Sequence, residues 1–331
     1  MALFAFQDLT LEVKHQACGA EQDLAGVLEQ LSWVSIPSTG QEPILRLSVS
    51  IQQNGLRVSP LSKEVFRADG FSALESGDDF YLTDGSSLLH LRPGQGVGTV
   101  FLAPSFRTKP ELLQSNFWAF SLLKLFRPRG LYSLHAAGLV AKGGLALLVI
   151  GPSGSGKSTL AIGLIRHGWH YLSDDAVLLR SQVGGIQALA LRKHFYIDAD
   201  AAASSVELPL GEEVPDNRGR LRRRVYVERV AGGSYAAGCF PQVLLFCRIV
   251  PQAQSSLLPL DRVQALRHLL AGSGPQLFDR KSMNMHLEVL KKLLQQAATY
   301  ELRAGLDLYR DPMTLVRLLN EAEGAQRWPG L

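Results

Sequence analysis

Apolar and polar residues alternate along much of the first hundred positions, which is the pattern of strands with one buried face. The alternation runs over residues 9–13 and recurs more clearly over 45–51. Turn dipeptides stand at Asp69-Gly70 and Asp84-Gly85, and the second separates two apolar runs as in a hairpin. The pattern predicts a β-rich N-terminal domain over residues 1–110, with a structural or substrate-docking role.

Beyond residue 110 the pattern becomes typical of an α/β domain. A helical segment over 112–126 ends at Arg127-Pro128, and short apolar strands and glycine-rich turns follow from Tyr132. Three more helices are expected over 261–270, over 285–298 and from Asp311-Pro312 onward, with a strand-like TYELRA before the last. These elements predict a catalytic-type α/β domain over residues 111–331.

Composition places the chain among ordinary globular proteins. Its 331 residues are 46% hydrophobic and 19% charged, which excludes a disordered tail, a collagen-like rod and a coiled coil. Three cysteines without a CxxC pair argue against a disulfide framework or a zinc site. No signal peptide is evident at the start, and no apolar run is long enough to span a bilayer. We expect a cytoplasmic protein.

The strongest chemical signal is GPSGSGKS at 151–158, which matches the phosphate-binding loop pattern of glycine, four residues and Gly-Lys-Ser/Thr. It follows the apolar run LALLVI and precedes an amphipathic helical segment. Glycines let the backbone aim its N–H groups at phosphate oxygens, and the helix N-terminus adds positive partial charge. Lys157 would reach the β- and γ-phosphates, and the Ser158 hydroxyl would bind Mg²⁺. The predicted nucleotide-binding residues are Gly151, Ser153, Gly154, Ser155, Gly156, Lys157, Ser158 and Thr159.

A carboxylate pair, Asp174-Asp175, lies sixteen residues beyond Ser158 in the strand-forming stretch WHYLSDDAVLL. Most P-loop NTPases bring their metal-binding aspartate from a strand further along the chain. Beside a bound Mg·nucleotide, one carboxylate can hold the metal while the other accepts the proton of an attacking hydroxyl. The alternative is that the pair belongs to a surface turn.

The stretch from His135 to Leu179 resembles the HPr serine kinase/phosphorylase family, especially its bacterial HPr-kinase-like relatives. It includes most of LHAAGLV, the glycine-rich loop and the aspartate pair. The resemblance implies an α/β fold with a P-loop kinase core, of the type shared with ATP-dependent phosphoenolpyruvate carboxykinase. It also implies ATP and Mg²⁺ as cofactors, and a serine hydroxyl on a peptide or protein as phosphate acceptor. Some relatives belong to pathways that make peptide natural products, including lasso peptides.

The resemblance further implies a role for each matching residue. Asp174 would be the general base, and Asp175 would be the metal-linked carboxylate together with Ser158. The reverse assignment of the two aspartates stays open. Lys157 would act on the transferring phosphate, and His135 would lie near the phosphate or assist the base. The alternative for His135 is a histidine buried in the core.

The chain departs from familiar HPr kinases in two places. Residues 1–110 do not look like the N-terminal domain of the best-known members. The segment LALRKHFYIDAD also lacks the glutamate of the family's signature segment, which removes support for a second metal contact and for a reverse phosphorylase reaction. Asp198 and Asp200 are either substitutes for that glutamate or solvated loop residues.

The positive charge is concentrated in one segment. The net charge of the chain is +4, and residues 218–224 alone hold five arginines. This arginine run is either a solvated face, a source of a catalytic arginine such as Arg220 that stabilises γ-phosphoryl charge, or a docking patch for an acidic peptide segment. Aromatic residues are not interleaved with the run, so nucleic-acid binding is not favoured.

The sequence thus predicts an ATP- and Mg²⁺-dependent kinase whose acceptor is a hydroxyl of a peptide or small protein, with neither nucleic acid nor membrane as a partner. Related kinases form oligomers, so a homo-oligomer is a further expectation. Two other functions stay open. One is a nucleotide-binding scaffold without transfer activity. The other is a carboxykinase-like enzyme acting on a small organic acid. It would need a carboxylate-binding arginine cluster and usually a second metal, and the sequence shows no convincing set of residues for these.

Overall fold

The computed structural model describes residues 1–15, 20–37, 42–51, 58–68, 70–198, 210–215, 220–230, 234–273 and 280–323. The chain divides into two compact units. The first comprises Met1–Leu131 and Val214–Arg222, and the second comprises Tyr132–Glu213 and Arg223–Leu331. Helices and several sheets occur together, which confirms the mixed α/β class that the sequence predicts.

The first unit is built on a mixed sheet. Its strands are β1 (Ala2–Phe6), β2 (Leu9–His15), β3 (Val34–Ile36), β4 (Leu45–Ile51), β5 (Lys63–Ala68), β6 (Phe71–Ser76), β7 (Asp79–Thr83), β8 (Leu88–Arg92) and β9 (Val97–Leu102). Its helices are α1 (Ala20–Gln30) and α2 (Glu111–Phe126). Among the described residues the strand order is β3-β1-β2-β4-β9-β8-β7-β6-β5.

The alternating segments of the N-terminal region form strands as predicted. Leu9, Leu11 and Val13 of β2 are buried, and β7 and β8 form the expected antiparallel hairpin around Asp84-Gly85. Asp69 of the other turn dipeptide lies outside the described residues. The ring of Phe126 at the end of α2 stacks on Phe6 of β1, so the helix closes the apolar face of the sheet.

The second unit contains more strands and five described helices. The strands that lie wholly or partly in it are β10 (Leu131–Leu134), β11 (Ala136–Val140), β12 (Ala146–Ile150), β13 (His170–Ser173), β14 (Val177–Gln182), β15 (Gly185–Ala190), β16 (His194–Asp198), β17 (Leu210–Pro215), β18 (Leu221–Tyr226), β19 (Ser234–Tyr235), β20 (Gly238–Cys239), β21 (Val243–Ile249), β22 (Ser256–Pro259) and β23 (Ala298–Ala304). Its helices are α3 (Lys157–Arg166), α4 (Arg262–Gly272), α5 (Arg280–Gln296), α6 (Leu306–Arg310) and α7 (Thr314–Glu323).

The central sheet of this unit has the order β19-β13-β11-β12-β21-β23-β22 among the described strands. Two smaller described sheets have the orders β10-β14-β15-β20 and β16-β18-β17. Leu147 and Val149 of β12 pack in one core with α3, while Leu148 and Ile150 pack in a second core with α4 and α5. Both faces of β12 are therefore covered, which explains its uninterrupted apolar sequence.

Several helix ends match the sequence pattern and one does not. Gly168 has a left-handed φ of 87° after α3, as expected for a glycine at a helix C-terminus. The Asp261 carboxylate accepts hydrogen bonds from two backbone N–H groups at the start of α4. The last helix, α7, begins at Thr314, two residues beyond the predicted first position at Pro312, although the Asp311 carboxylate accepts from the Met313 N–H at 3.0 Å as the predicted cap would. The short helix α6 has no counterpart in the predicted elements.

In the part of the chain that the structure describes, no helix has both the length and the apolar character that crossing a bilayer requires.

Candidate active site

Strand direction brings distant segments of the second unit to one edge of its central sheet. β12 pairs in parallel with β21, and β21 pairs in parallel with β23. β11 is antiparallel to both β12 and β13, so β12 and β13 run in the same direction. The loop after β12, the aspartates after β13 and His135 before β11 consequently meet at the same edge, where ligands of open α/β sheets bind.

The glycine-rich loop connects β12 to α3 as a tight turn. Gly154 and Gly156 have φ angles of 81° and 91°, a region that residues with a Cβ rarely adopt. A Cβ at Gly151 would lie 2.7 Å from the Cys247 carbonyl oxygen of β21, so this position also requires glycine. The Cys247 thiol donates to the Ser155 carbonyl oxygen at 3.2 Å, which ties the loop to the neighbouring strand.

Lys157, the first residue of α3, folds its side chain back over the loop. Its ammonium donates to the carbonyl oxygens of Gly151 at 2.8 Å and Pro152 at 3.0 Å. The residue is only 5% exposed. A buried ammonium therefore lies within the curve of the loop, where an anion would gain from the charge and from the N-terminus of α3.

Asp174 connects the aspartate pair to the loop. Its Oδ2 accepts a hydrogen bond from the Ser158 hydroxyl at 2.7 Å, and the residue is 1% exposed. Burial, followed by the nearby Asp175 carboxylate, raises the pKa of Asp174 from 3.8 to about 7. The Ser158 hydrogen bond acts in the opposite direction. The carboxyl group is thus poised to change protonation state near neutral pH.

Asp175 is held in an unusual backbone conformation by His135. Its φ is 61°, which is uncommon for a residue with a side chain. His135 Nδ1 donates to the Asp175 carbonyl oxygen at 2.7 Å, which places the imidazole proton on Nδ1. Burial and the Lys157 ammonium lower the pKa of His135, so the ring is neutral at pH 7. His135 is therefore a positioning residue for the aspartate turn.

Three buried polar atoms around the loop lack hydrogen-bond partners among the described residues. They are Ser155 Oγ, Asp174 Oδ1 and the Tyr309 hydroxyl. Ser155 is 6% exposed, and a Cβ at Gly156 would overlap the Tyr309 hydroxyl. Buried polar atoms are rarely left unpaired, so these three atoms are candidates for contact with a polar ligand.

Tyr309 is the one residue of this group that the sequence motifs do not indicate. It lies in α6, just beyond β23, a strand parallel to β21 and hence to β12. The carboxyl end of β23 therefore lies at the edge of the sheet that carries the loop. Knowledge of the strand order would have indicated Tyr309 as a residue near the loop. Burial raises the pKa of Tyr309 to about 12, so its hydroxyl is a hydrogen-bond donor at neutral pH.

The positions of the other predicted site residues decide less about their roles. Ser153 and Thr159 lie in the loop and in the first turn of α3, as expected. Arg220 is exposed and belongs to the first unit, so its catalytic role stays a prediction. Residues 216–219, including Arg218, lie outside the described part, as do Asp200 and the side chain of Asp198.

The described part of the arginine run contributes to β18. Arg223 pairs with Glu213 at 2.5 Å, and Arg224 donates to the hydroxyl groups of Tyr196 and Tyr226 at 3.4 and 3.3 Å. These arginines therefore have local structural contacts. Whether the run also docks an acidic segment stays a prediction.

Comparison with known proteins adds little to this geometry. No model of a protein family matches the chain, and no curated protein matches it. One solved structure that matches is described as the Hpr(Ser) kinase/phosphatase from Coxiella burnetii, at 18% identity, over 40% of this chain and 71% of that chain. The TM-score is 0.24, a weak structural similarity that supports no conclusion about this chain. The family resemblance in the sequence therefore stays a prediction.

Proposed function

We propose that this chain is an ATP-dependent phosphotransferase that moves the γ-phosphate to a hydroxyl group of a peptide or small protein. The observation that carries the proposal is the convergence of unpaired Ser155, Asp174 and Tyr309 atoms on a glycine-rich loop with a buried lysine. An anion with several oxygen atoms would satisfy the donors. A Mg·nucleotide supplies both such an anion and the cation for the carboxylates.

The phosphates would be held by backbone N–H groups of the loop and by Lys157. The Lys157 ammonium now donates to two loop carbonyls, and a phosphate oxygen in the curve of the loop would be a stronger, charged acceptor. The same contact stabilises the negative charge of the transferring phosphoryl group.

The residues around Ser158 fit a magnesium ion. Because the Ser158 hydroxyl donates a hydrogen bond to Asp174, the lone pairs of the Ser158 oxygen are available to a cation. The partly exposed Asp175 carboxylate is close enough to Asp174 to raise the pKa of that residue. Mg²⁺ commonly takes only one or two protein ligands and completes its shell with water and phosphate oxygens. This agrees with the finding that no cluster of three or more His, Cys, Asp or Glu ligands occurs among the described residues. The ion would neutralise charge on the β- and γ-phosphate oxygens.

Asp174 would act as the general base. Its pKa of about 7 is close to the operating pH, where general-base catalysis is most effective. The acceptor oxygen forms a bond to the γ-phosphorus while the bond from that phosphorus to the β–γ bridging oxygen breaks. The hydroxyl proton passes to Asp174, and ADP leaves. His135 would keep the aspartate turn in position through the Asp175 carbonyl.

The proposal is tested by following the γ-phosphate of labelled ATP with water and serine-containing peptides as acceptors, beside calorimetric binding of Mg·ATP. Asp174→Asn should bind Mg·ATP nearly normally and lose transfer by about 10²–10⁴-fold, the usual worth of a general base. Lys157→Ala should lose both binding and transfer, because its contact exists in the ground and transition states. Asp261→Asn, an exposed helix cap of the same unit, is the matched control and should transfer normally.

The outcomes separate the possible roles. Undiminished transfer by Asp174→Asn rules out Asp174 as the base. A raised Mg²⁺ requirement in that variant, with normal turnover at saturating Mg²⁺, would indicate that Asp174 holds the metal and that Asp175 is the general base. Tight Mg·ATP binding without transfer to any acceptor would favour a nucleotide-binding scaffold over a kinase.

A further inference from the structure

A cavity lies beside the glycine-rich loop, between α3 and the segment that includes α6. Its volume is about 240 Å³. Apolar side chains form much of its wall: Ile162 of α3, Ile197 of β16 and Leu308 of α6. Of the predicted nucleotide-binding residues, Thr159 alone lines this cavity.

Two residues connect the cavity to the loop. Thr159 lines the cavity and directly follows Ser158, whose hydroxyl reaches Asp174. Tyr309 lines it from the other side, and its unpartnered hydroxyl lies against Gly156. The cavity therefore adjoins the phosphate-binding loop at Thr159 and Tyr309.

The position of Tyr309 is fixed by contacts on the far side of α6. The Asp307 carboxylate accepts hydrogen bonds from the Ser255 N–H at 2.9 Å and from the Ser255 hydroxyl at 2.6 Å. A Cβ at Gly305 would lie 2.7 Å from the Gln254 carbonyl oxygen, so the chain enters α6 in close contact with the preceding loop. Such anchoring makes the tyrosine a preformed part of the cavity wall.

From this arrangement we infer that the cavity takes the nucleoside part of the nucleotide, its base and ribose, and that the Tyr309 hydroxyl donates to an oxygen of the same nucleotide. The inference rests on the proposed function. It adds a base-binding site and a positioning residue that neither the loop motif nor the aspartate pair indicates.

The size and the chemistry of the cavity agree with this ligand. Pockets that enclose drug-sized molecules measure about 300–1,000 Å³, so a space of about 240 Å³ has room for a planar base with part of its sugar. The apolar wall and the Tyr309 ring suit the faces of a base. Thr159 and the exposed Arg310 at the rim offer polar contacts to its edge or to the ribose.

The test compares Mg·ATP with Mg·tripolyphosphate, which carries the phosphates without a nucleoside. Calorimetric binding to the wild-type protein should be at least about tenfold tighter for ATP, since stacking and burial of the base add to the phosphate contacts. Arg310→Trp, which places a large side chain at the cavity rim, should remove most of that ratio and leave tripolyphosphate binding within about twofold. Arg267→Trp, on the exposed surface of α4, is the matched control and should keep the ratio.

Tyr309→Phe provides an independent measurement. Loss of an unpaired hydroxyl should leave the melting temperature unchanged or slightly raised, while ATP binding weakens by about five- to twentyfold. A photoreactive 8-azido analogue of ATP should label the tryptic peptide 304–310, which contains Tyr309.

Equal affinity for ATP and tripolyphosphate in the wild-type protein, or an unchanged ratio in Arg310→Trp, would overturn the inference and leave the phosphate-binding loop intact. Labelling confined to peptides outside α3, β16 and α6 would overturn it as well. Failure of both ligands to bind would instead refute the proposed function.

Discussion

Replacement of Asp174 by asparagine should change how the stability of the protein depends on pH. The carboxyl group is 1% exposed, and burial raises its pKa from 3.8 to about 7. Between these two values the folded chain binds a proton that the unfolded chain releases. Stability supplied by this group is therefore complete below about pH 4 and is lost as the pH rises through 7.

The magnitude follows from the size of the shift. Each pKa unit corresponds to about 1.4 kcal/mol, so about three units amount to roughly 4 kcal/mol over the whole window. From pH 5 to pH 8 the ligand-free wild-type protein should lose about 3 kcal/mol of unfolding free energy through Asp174. Asparagine has nearly the same shape and does not ionise, and any cost of its unpaired amide is the same at every pH.

The measurement is urea unfolding at pH 5, 6, 7 and 8 in the presence of a chelator, with the variant subtracted from the wild type at each pH. Trp169 is buried in the second unit and reports on it by fluorescence. The difference should shift by about 3 kcal/mol in favour of the variant as the pH rises. In Ser158→Ala the window should extend to higher pH, because the Ser158 hydrogen bond favours the charged carboxylate. A difference that is flat from pH 5 to pH 8 would refute the burial argument.

Three further substitutions test local features of the structure. Gly156→Ala should lower stability by about 2 kcal/mol or more, because φ is 91° and the new Cβ would overlap the Tyr309 hydroxyl; a thermal melt without loss would contradict this. His135→Ala should cost about 1–2 kcal/mol by leaving the Asp175 carbonyl without its donor, and His135→Asn, whose amide can replace Nδ1–H, should recover part of it in the same melts. In the first unit, Lys109→Met should cost about 2–3 kcal/mol, because the Asp84 side chain is 1% exposed and would lose its ammonium partner at 2.6 Å while keeping hydrogen bonds from Ser86 and Ser87; the double variant with Asp84→Asn should be more stable than the single one.

The sequence could predict the features that depend on neighbouring residues. The loop from Gly151 to Thr159 is one continuous segment whose glycines and helix start have local physical causes. Asp174 was predictable because it directly follows a short strand that comes next after the loop helix. Its hydrogen bond to Ser158 at 2.7 Å agrees with that reasoning.

The sequence could not predict what depends on the order of strands. Tyr309 reaches the loop only because β23 pairs in parallel with β21, a pairing between segments about fifty residues apart. In the first unit, alternation predicted β2 and β4, but not their parallel pairing. Such pairings are decided by packing across the whole sheet, and a period of two residues carries no information about the partner strand.

The position of β12 in the middle of the central sheet has a consequence for how variants of this protein will behave. With both faces covered by core residues, the strand that carries the loop cannot give way unless much of the unit opens with it. Under the proposed function, folding and nucleotide binding are then coupled equilibria. A nucleotide at a hundred times its dissociation constant would add about 2.7 kcal/mol to the folded state. If the proposed function is correct, substitutions deep in this core will therefore reduce apparent nucleotide affinity near the melting temperature, and added nucleotide will restore the folded state.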